Sequence, residues 1–219
     1  LLMLWHGLGD SSGNFANGMG AASIAAQQGA VVAVPQAKAP SSGATAMWQF
    51  PSPLTNKPPQ FDLMLFDSLV TCIDQQFDID NGRVMTMGFS AGAIWSTYLV
   101  MHRSDYLAAA AIFSGGISTT LFGYEKPSYK VAVIGSHGGP TDMFQGIIKF
   151  QDMMTTLSSS LVKDGHVMIL CSHGQGHTVT QGVVAGAVKF IFSHKYGDGS
   201  SVYDAARVAK VLPSYCSLQ

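Results

Sequence analysis

Short runs of apolar residues alternate along the chain with longer segments of helical periodicity. Six runs of nearly continuous apolar residues predict buried strands: Leu1–Trp5, Val31–Val34, Val84–Met87, Ala109–Phe113, Val131–Ile134 and Val167–Leu170. Five segments between them predict helices: Phe15–Gln28, Asp62–Gln76, Ala91–His102, Met143–Lys163 and Thr180–His194. Because strands that alternate with helices are typical of βαβ units, the pattern predicts the α/β class, with a mostly parallel central sheet and helices on both faces.

Two segments fall outside this alternation. Residues 35–60 form a long irregular stretch that holds six of the nine prolines. Since long loops in compact domains are usually functional or disordered, we expect a loop on the substrate side of the protein. Residues 196–219 are Gly/Ser-rich and then weakly helical, and we expect this tail to wrap around the domain, pinned by Cys216. The chain also opens directly in the strand pattern of Leu1–Trp5, so we expect the first edge strands of the sheet to lie upstream.

Length and composition restrict the class of protein. With 219 residues, no internal repeat and no linker between two cores, the chain is expected to form one domain, residues 1–219. Hydrophobic residues make up 47% of it and charged residues 11%, which excludes a disordered chain. A net charge of -1 at pH 7 provides no electrostatic footprint for nucleic acid or for an anionic membrane. No apolar run approaches the roughly 18 residues of a membrane span. The sparse charge favours a secreted, extracellular protein.

Three cysteines, Cys72, Cys171 and Cys216, stand at wide spacings along the chain. Such spacings match neither a zinc site nor a Cys-x-x-Cys redox pair. We expect one disulfide, between Cys216 and either Cys72 or Cys171, and one buried thiol.

The motif Gly-Phe-Ser-Ala-Gly at residues 88–92 carries the sharpest chemical signal. It follows a predicted strand and opens a predicted helix, which is the context in which Gly-x-Ser-x-Gly predicts a nucleophile elbow. Gly88 and Gly92 are small enough for so tight a turn, and Ser90 is the candidate nucleophile. The backbone N–H of Ala91, at the helix N-terminus, is a candidate donor to an oxyanion. A chance Gly/Ser turn is the alternative in a chain with 24 glycines.

A serine nucleophile needs a base and an acid, which in this architecture follow it in the order Asp or Glu, then His. His177 lies in a Gly-rich turn between the last predicted strand and the last predicted helix, and it is the candidate base. His173 is the alternative base, with loop bracing as its other role. Asp142 opens the predicted helix Met143–Lys163 and is the candidate acid, and an N-cap role can coincide with this one. Asp164 is the second choice.

The loop after the first predicted strand supplies a second oxyanion donor. Its glycines let backbone N–H groups approach a developing charge, and the N–H of Leu8 is the candidate. His6, in the same loop, is a candidate substrate-side residue, more as a hydrogen-bonding brace than as a second base. Trp48 can offer a flat contact to a polyester or an aromatic acyl group, or it can pin the long loop to the core.

Together these residues resemble the α/β-hydrolase serine esterases, in particular the polyhydroxybutyrate depolymerase and feruloyl esterase-like family. The resemblance covers nearly the whole chain, from the first Gly-rich loop through the elbow to the closing helix. It implies an α/β-hydrolase fold, a triad of Ser90, Asp142 and His177, and an oxyanion hole formed by the amides of Leu8 and Ala91. It also implies a secreted enzyme that hydrolyses small or polymeric carboxylic esters through an acyl-enzyme, without a metal or cofactor.

Two other interpretations stay open. The loop at residues 6–10 is also similar to that of small carboxylesterases and acyl-protein thioesterases, which would have no polymer activity. A hydrolase fold that binds a ligand without catalysis is the alternative from another class. The connection between the strand Ala109–Phe113 and Asp142 is too short to hold a lid domain, so we expect an open cleft suited to bulky or polymeric esters.

Overall fold

The computed structural model describes residues 1–39, 45–49, 60–197 and 201–219. Its strands are β1 Leu2–Trp5, β2 Val32–Ala33, β3 Val84–Phe89, β4 Leu107–Phe113, β5 Ala132–His137, β6 Met143–Phe144, β7 Ile148–Lys149, β8 Met168–Ser172 and β9 Cys216–Leu218. Its helices are α1 Ser12–Met19, α2 Ala21–Gln28, α3 Gln60–Phe77, α4 Ala91–His102, α5 Phe150–Lys163, α6 Gln181–Phe192 and α7 Ala205–Val211.

Seven of these strands form one sheet in the order β2-β1-β3-β4-β5-β8-β9. Its first six strands are parallel, and β9 pairs with β8 in the antiparallel direction. The predicted α/β class with a mostly parallel sheet is therefore confirmed. Because parallel strands all end at the same edge, the loops that follow β1, β3, β5 and β8 meet at the carboxyl edge of the sheet.

Helices cover both faces of the sheet, as the near-continuous apolar strands predicted. In β1, Leu2 and Leu4 pack with residues of α1, α2, α6 and α7 on one face. Met3 and Trp5 of the same strand pack with residues of α3, α4 and α5 on the other face. Alternation within single strands thus builds two cores on one sheet. None of the helices in the described residues is long and apolar enough to cross a membrane.

The predicted helix Phe15–Gln28 is two helices, α1 and α2. Gly20 separates them with a φ of 69°, in the left-handed region, and its N–H caps α1 by donating to the carbonyls of Ala16 and Asn17. A glycine is the residue that takes this conformation without a steric cost, so it ends the first helix although the apolar pattern continues.

The predicted helix Met143–Lys163 begins seven residues late, at Phe150. The residues before it form a hairpin of β6 and β7 that turns at Gln145 and Gly146, both with positive φ. Placing Asp142 at a helix N-terminus was therefore wrong: a hairpin follows it, and Phe150 N–H returns to donate to the Asp142 carbonyl at 3.0 Å.

The tail forms α7 and β9, and Cys216 is bonded to Cys171 of β8. This settles the two predicted pairings in favour of Cys171, while the expected buried thiol is wrong because Cys72 is free and exposed. Most of the predicted substrate-side loop falls on residues 40–44 and 50–59, outside the described residues.

Candidate active site

Ser90 stands at the turn between β3 and α4, in a conformation that few non-glycine residues adopt. Its φ is 55° and its ψ is -121°. Such strained backbone persists where the surrounding structure fixes it, and it clusters at functional sites. The Ser90 N–H donates to the carbonyl of Phe113 at the end of β4 at 3.0 Å, which ties the turn to the neighbouring strand. The half-buried serine is thus presented at the carboxyl edge of the sheet.

The two glycines of the motif are required by close backbone contacts. A Cβ atom at Gly88 would lie 2.2 Å from the carbonyl oxygen of Gly92. A Cβ atom at Gly92 would lie 1.9 Å from the carbonyl oxygen of Trp5, at the end of β1. No side chain fits at either distance, so α4 can start directly against β1 and β3 only with glycine at both positions.

Ser90, His177 and Asp142 form one chain of hydrogen bonds. The Nε2 atom of His177 lies 2.9 Å from the Oγ atom of Ser90, and its Nδ1 atom lies 2.7 Å from the Oδ1 atom of Asp142. A carboxylate only accepts hydrogen bonds, which assigns the proton to Nδ1 and leaves Nε2 to accept from the serine hydroxyl. The arrangement has the geometry that a general base needs to take a proton from Ser90.

Asp142 is 1% exposed, and both of its carboxylate oxygens accept hydrogen bonds. Its Oδ2 atom accepts from the Ser114 hydroxyl and from the Gly138 N–H, both at 2.8 Å. Burial by itself raises the pKa of Asp142, but the hydrogen bonds from His177, Gly138 and Ser114 outweigh it and hold the pKa below its usual value. A charged acid is therefore favoured beside the imidazole.

Ser114 was missed by the sequence reasoning. It follows β4 directly, with a φ of 53°, and this conformation turns its hydroxyl towards Asp142. The sequence signal that could have identified it is its place directly after β4, the strand that pairs with β3.

Two aromatic rings fix the orientation of the His177 imidazole. Phe150, the first residue of α5, stacks on it at 4.5 Å with an interplanar angle of 16°. Phe89, the residue before the serine, lies 4.7 Å away with an angle of 30°. The side chain of His177 is 27% exposed, so a ligand has access to the imidazole.

The loops that carry Asp142 and His177 cross at two glycines. The N–H of Gly176 donates to the carbonyl of Gly138 at 2.9 Å. A Cβ atom at Gly138 would lie 1.8 Å from the carbonyl oxygen of Gly176, so the crossing requires glycine at residue 138. This contact sets the distance between acid and base, and the local sequence pattern had not indicated it.

The alternative residues lie outside the hydrogen-bond chain. His173 donates its backbone N–H to the His137 carbonyl at 3.1 Å and accepts from the N–H of Gln175, and burial lowers its pKa. Asp164 follows the far end of α5, where it accepts from the Tyr124 hydroxyl at 2.8 Å. His173 therefore braces the loop, and Asp164 belongs to the opposite end of the sheet.

The candidate oxyanion donors, Ala91 and Leu8, belong to two segments that adjoin Ser90. Ala91 is the first residue of α4, where an amide N–H has no intrahelical acceptor. Gly7 lies against the serine, since a Cβ atom on it would be 3.6 Å from the Ser90 Cβ atom. The next residue, Leu8, donates no backbone hydrogen bond within the part of the chain that the structure describes, whereas Gly9 donates to Ala46.

His6 and Trp48 lie in the interior, with 0% and 1% of their surface exposed. The His6 Nδ1 donates to the Gly7 carbonyl at 2.8 Å, while Nε2 accepts from the Ala37 N–H at 3.0 Å. Trp48 donates its indole N–H to the His6 carbonyl at 2.8 Å. The expected substrate contacts of these two residues are therefore corrected: their buried side chains brace the loop, which corresponds to the loop-anchoring alternative for Trp48.

The described residues include no group of three His, Cys, Asp or Glu side chains that could hold a metal ion.

Comparison with known proteins gives a likeness in structure but not in sequence. No protein-family model and no curated protein matches the chain. The carboxylesterase of Bacillus cereus is similar, with a TM-score of 0.66 and 17% identity over 87% of this chain and 86% of that one. The native structure of sOPH has a TM-score of 0.73 and 17% identity over 100% of this chain and 84% of that one.

A further similar structure is Atu2452 from Agrobacterium tumefaciens, a protein of unknown function, with a TM-score of 0.66 and 20% identity. It covers 90% of this chain and 91% of that one. Identities this low concern the fold alone, because one fold can host many functions. The predicted architecture is confirmed: this chain has the α/β-hydrolase fold.

Proposed function

We propose that the chain is a serine esterase that hydrolyses carboxylic esters through an acyl-enzyme. The observation that carries this proposal is the hydrogen-bond chain from Ser90 through His177 to the buried Asp142, with the serine on a strained elbow. Three groups with these roles, in this order along the chain, match the requirements of acyl transfer. The likeness to a carboxylesterase structure agrees with it.

In the proposed mechanism, His177 takes the hydroxyl proton as the Oγ atom of Ser90 attacks the ester carbonyl. Asp142 keeps the imidazole in the required tautomer and stabilises the imidazolium. The oxyanion accepts hydrogen bonds from the amides of Leu8 and Ala91, and the N-terminus of α4 favours its negative charge. His177 then gives the proton to the leaving alcohol. Water repeats the same steps on the acyl-enzyme and releases the acid.

The proposed substrates are bulky or polymeric esters, either polyesters of the polyhydroxyalkanoate type or feruloyl-type esters, acted on outside the cell. Residues 114–131, which connect β4 to β5, hold no helix, and the imidazole of His177 is partly exposed. An open rim of this kind suits a substrate that cannot enter a closed pocket. The disulfide between Cys171 and Cys216 supports secretion, because disulfides persist in oxidising compartments.

A fluorophosphonate probe tests the enzyme proposal. We expect the folded protein to be labelled at Ser90, and Ser90→Ala to lose both labelling and p-nitrophenyl butyrate hydrolysis by at least about 10⁴-fold. Ser159→Ala is the matched control, since Ser159 lies exposed on α5 with its hydroxyl bonded to Thr155. A wild-type protein that is neither labelled nor able to hydrolyse the ester would favour the non-catalytic binding protein. Undiminished hydrolysis by Ser90→Ala would show that Ser90 is not the nucleophile.

A substrate panel tests the proposed class. Release of soluble products from a polyester film or from feruloylated sugars is expected, at rates that Ser90→Ala abolishes. Turnover restricted to short soluble esters or thioesters would replace this part of the proposal with a small carboxylesterase or thioesterase.

A further inference from the structure

A groove of about 240 Å³ lies beside the His177 imidazole, between α1 and the start of α6. Its floor is apolar and includes Phe15, Met19 and Val184, whose side chains are buried in the core. Phe89, which contacts the imidazole, forms part of its wall. The mechanism described above leaves this groove unused.

The groove lies where the alcohol side of a bound ester would be placed. One wall includes Asp10, two residues after the proposed oxyanion donor Leu8, and another wall is His177 itself. In acyl transfer the leaving oxygen must lie within hydrogen-bond reach of the imidazole Nε2 atom that protonates it. The group attached to that oxygen therefore occupies space next to His177, and this groove opens there.

We propose that the groove binds the alcohol portion of the ester, a proposal that rests on the serine esterase activity proposed above. Its volume is below the roughly 300–1,000 Å³ of pockets that enclose a whole ligand, so it accommodates one arm of the substrate. The apolar floor selects a short, uncharged and largely apolar alcohol.

The charge at the groove makes the selection sharper. The Asp10 carboxylate accepts a hydrogen bond from the Ser11 N–H at 2.7 Å, but among the described residues it has no ion pair with a Lys, Arg or His side chain. A carboxylate on the alcohol would be repelled by the negative charge of Asp10. An internal unit of a polyester, whose carboxyl is esterified, fits the groove, whereas a terminal unit with a free carboxylate is disfavoured.

Two glycines of α1 provide a matched test. Gly18 lines the groove and Gly13 does not, and both are exposed helical residues at which an added Cβ atom meets nothing within 4 Å. Replacement by leucine is compatible with the helix at both positions, since leucine has the higher helix propensity. Gly18→Leu places a side chain over the groove, while Gly13→Leu makes the same chemical change elsewhere on the helix.

The measurement is kcat/KM for methyl, butyl and benzyl butyrate, and for methyl esters of increasing acyl length. We expect Gly18→Leu to lower the ratio of benzyl to methyl butyrate about tenfold and to leave the acyl-length profile unchanged, a discrimination of about 1.4 kcal/mol. Gly13→Leu is expected to keep both within twofold. A Gly18→Leu variant that alters the acyl-length profile, or that leaves the alcohol ratio unchanged, overturns the assignment.

Asp10→Asn provides the second readout. We expect it to raise kcat/KM for a butyrate ester of a hydroxy acid with a free carboxylate, relative to the methyl ester of that same compound, by about threefold to tenfold. An unchanged ratio removes Asp10 from the selection. If the wild-type protein hydrolyses esters but Gly18→Leu and Asp10→Asn both keep the wild-type kcat/KM ratios, the groove does not bind the alcohol portion, and the proposed esterase activity stands. If the wild-type protein hydrolyses no ester, the proposed function itself is wrong.

Discussion

Two regions meet in the candidate site, and both depend on glycines where no side chain fits. In the elbow, residues 88–92, a Cβ atom at Gly92 would lie 1.9 Å from the Trp5 carbonyl oxygen. In the acid–base corner, formed by residues 137–142 and 173–177, a Cβ atom at Gly138 would lie 1.8 Å from the Gly176 carbonyl oxygen. The elbow joins two strands and a helix inside the core, whereas the corner joins two loops that follow β5 and β8. A glycine that leaves room for a backbone carbonyl is therefore needed for the stability of the fold in the elbow. In the acid–base corner it is needed for the geometry of the site.

The largest effect on kcat is expected when the acid of the acid–base corner, Asp142, is replaced. Asp142→Asn should lower kcat by about 10⁴-fold, because an amide does not hold the imidazole in the tautomer that accepts from Ser90. Steady-state kinetics on p-nitrophenyl butyrate measure this, with circular dichroism to show that the variant is folded. An activity within tenfold of wild type would remove Asp142 from the proposed triad. Asp164→Asn is the control, and it is expected to keep wild-type kcat.

Alanine at each glycine sharpens the comparison itself. Gly92→Ala should destabilise the fold by more than about 4 kcal/mol, because a core strand blocks the new methyl group. Gly138→Ala should lower kcat about 100-fold with a smaller loss of stability, because the two loops shift and misplace the imidazole. Urea unfolding and kcat, measured on both variants, check the contrast. Equal losses of stability in the two variants would contradict it.

A smaller effect is expected at Ser114, which supports the corner from β4. Ser114→Ala removes one hydrogen bond to a charged carboxylate, which should cost about 1.5–3 kcal/mol of stability at pH 7 and about tenfold in kcat. Burial raises the pKa of Asp142, but the hydrogen bonds that its carboxylate accepts hold this pKa below its usual value. Their contribution to stability is therefore present above the unfolded-state pKa of about 3.9 and is lost as the pH falls through the folded-state pKa.

The stability difference between wild type and Ser114→Ala should accordingly narrow below about pH 4. Urea unfolding curves of both proteins, measured between about pH 3 and pH 7 at steps of about half a pH unit, test this. A difference that stays constant over the whole range would show that Ser114 acts through packing alone.

The smallest catalytic effect is expected from the disulfide, which lies in β8 before the loop of His177. Its two cysteines are 45 residues apart, and removing such a link by Cys171→Ser should cost about 2–4 kcal/mol of stability. The kcat of the folded variant should stay within twofold, because the glycine crossing, not the disulfide, sets the acid–base geometry. Cys72→Ser, at the exposed free cysteine, is the matched control for unfolding. A large drop in kcat for Cys171→Ser would show that the corner depends on the tail.

The sequence predicted those features whose causes are local. Five consecutive residues define the elbow, and near-continuous apolar runs identified the six parallel strands. The crossing of Gly138 and Gly176 joins residues far apart in the chain, so no local pattern could reveal it. The hairpin after Asp142 has apolar residues at positions that also fit a helix, and its turn at Gln145 and Gly146 decides between them. Trp48 could be assigned to the core only once its neighbours were known.

Strand β9, the outer strand beside β8, is very short, with three residues. An edge strand offers unpaired backbone groups on which a strand of another molecule can add, and short edges reduce this template. Strand β9 also covers the longer β8, to which the disulfide fastens it. Because only 11% of the residues are charged, charge repulsion along the sheet is weak, and the shortness of β9 is the feature that limits strand addition at this edge.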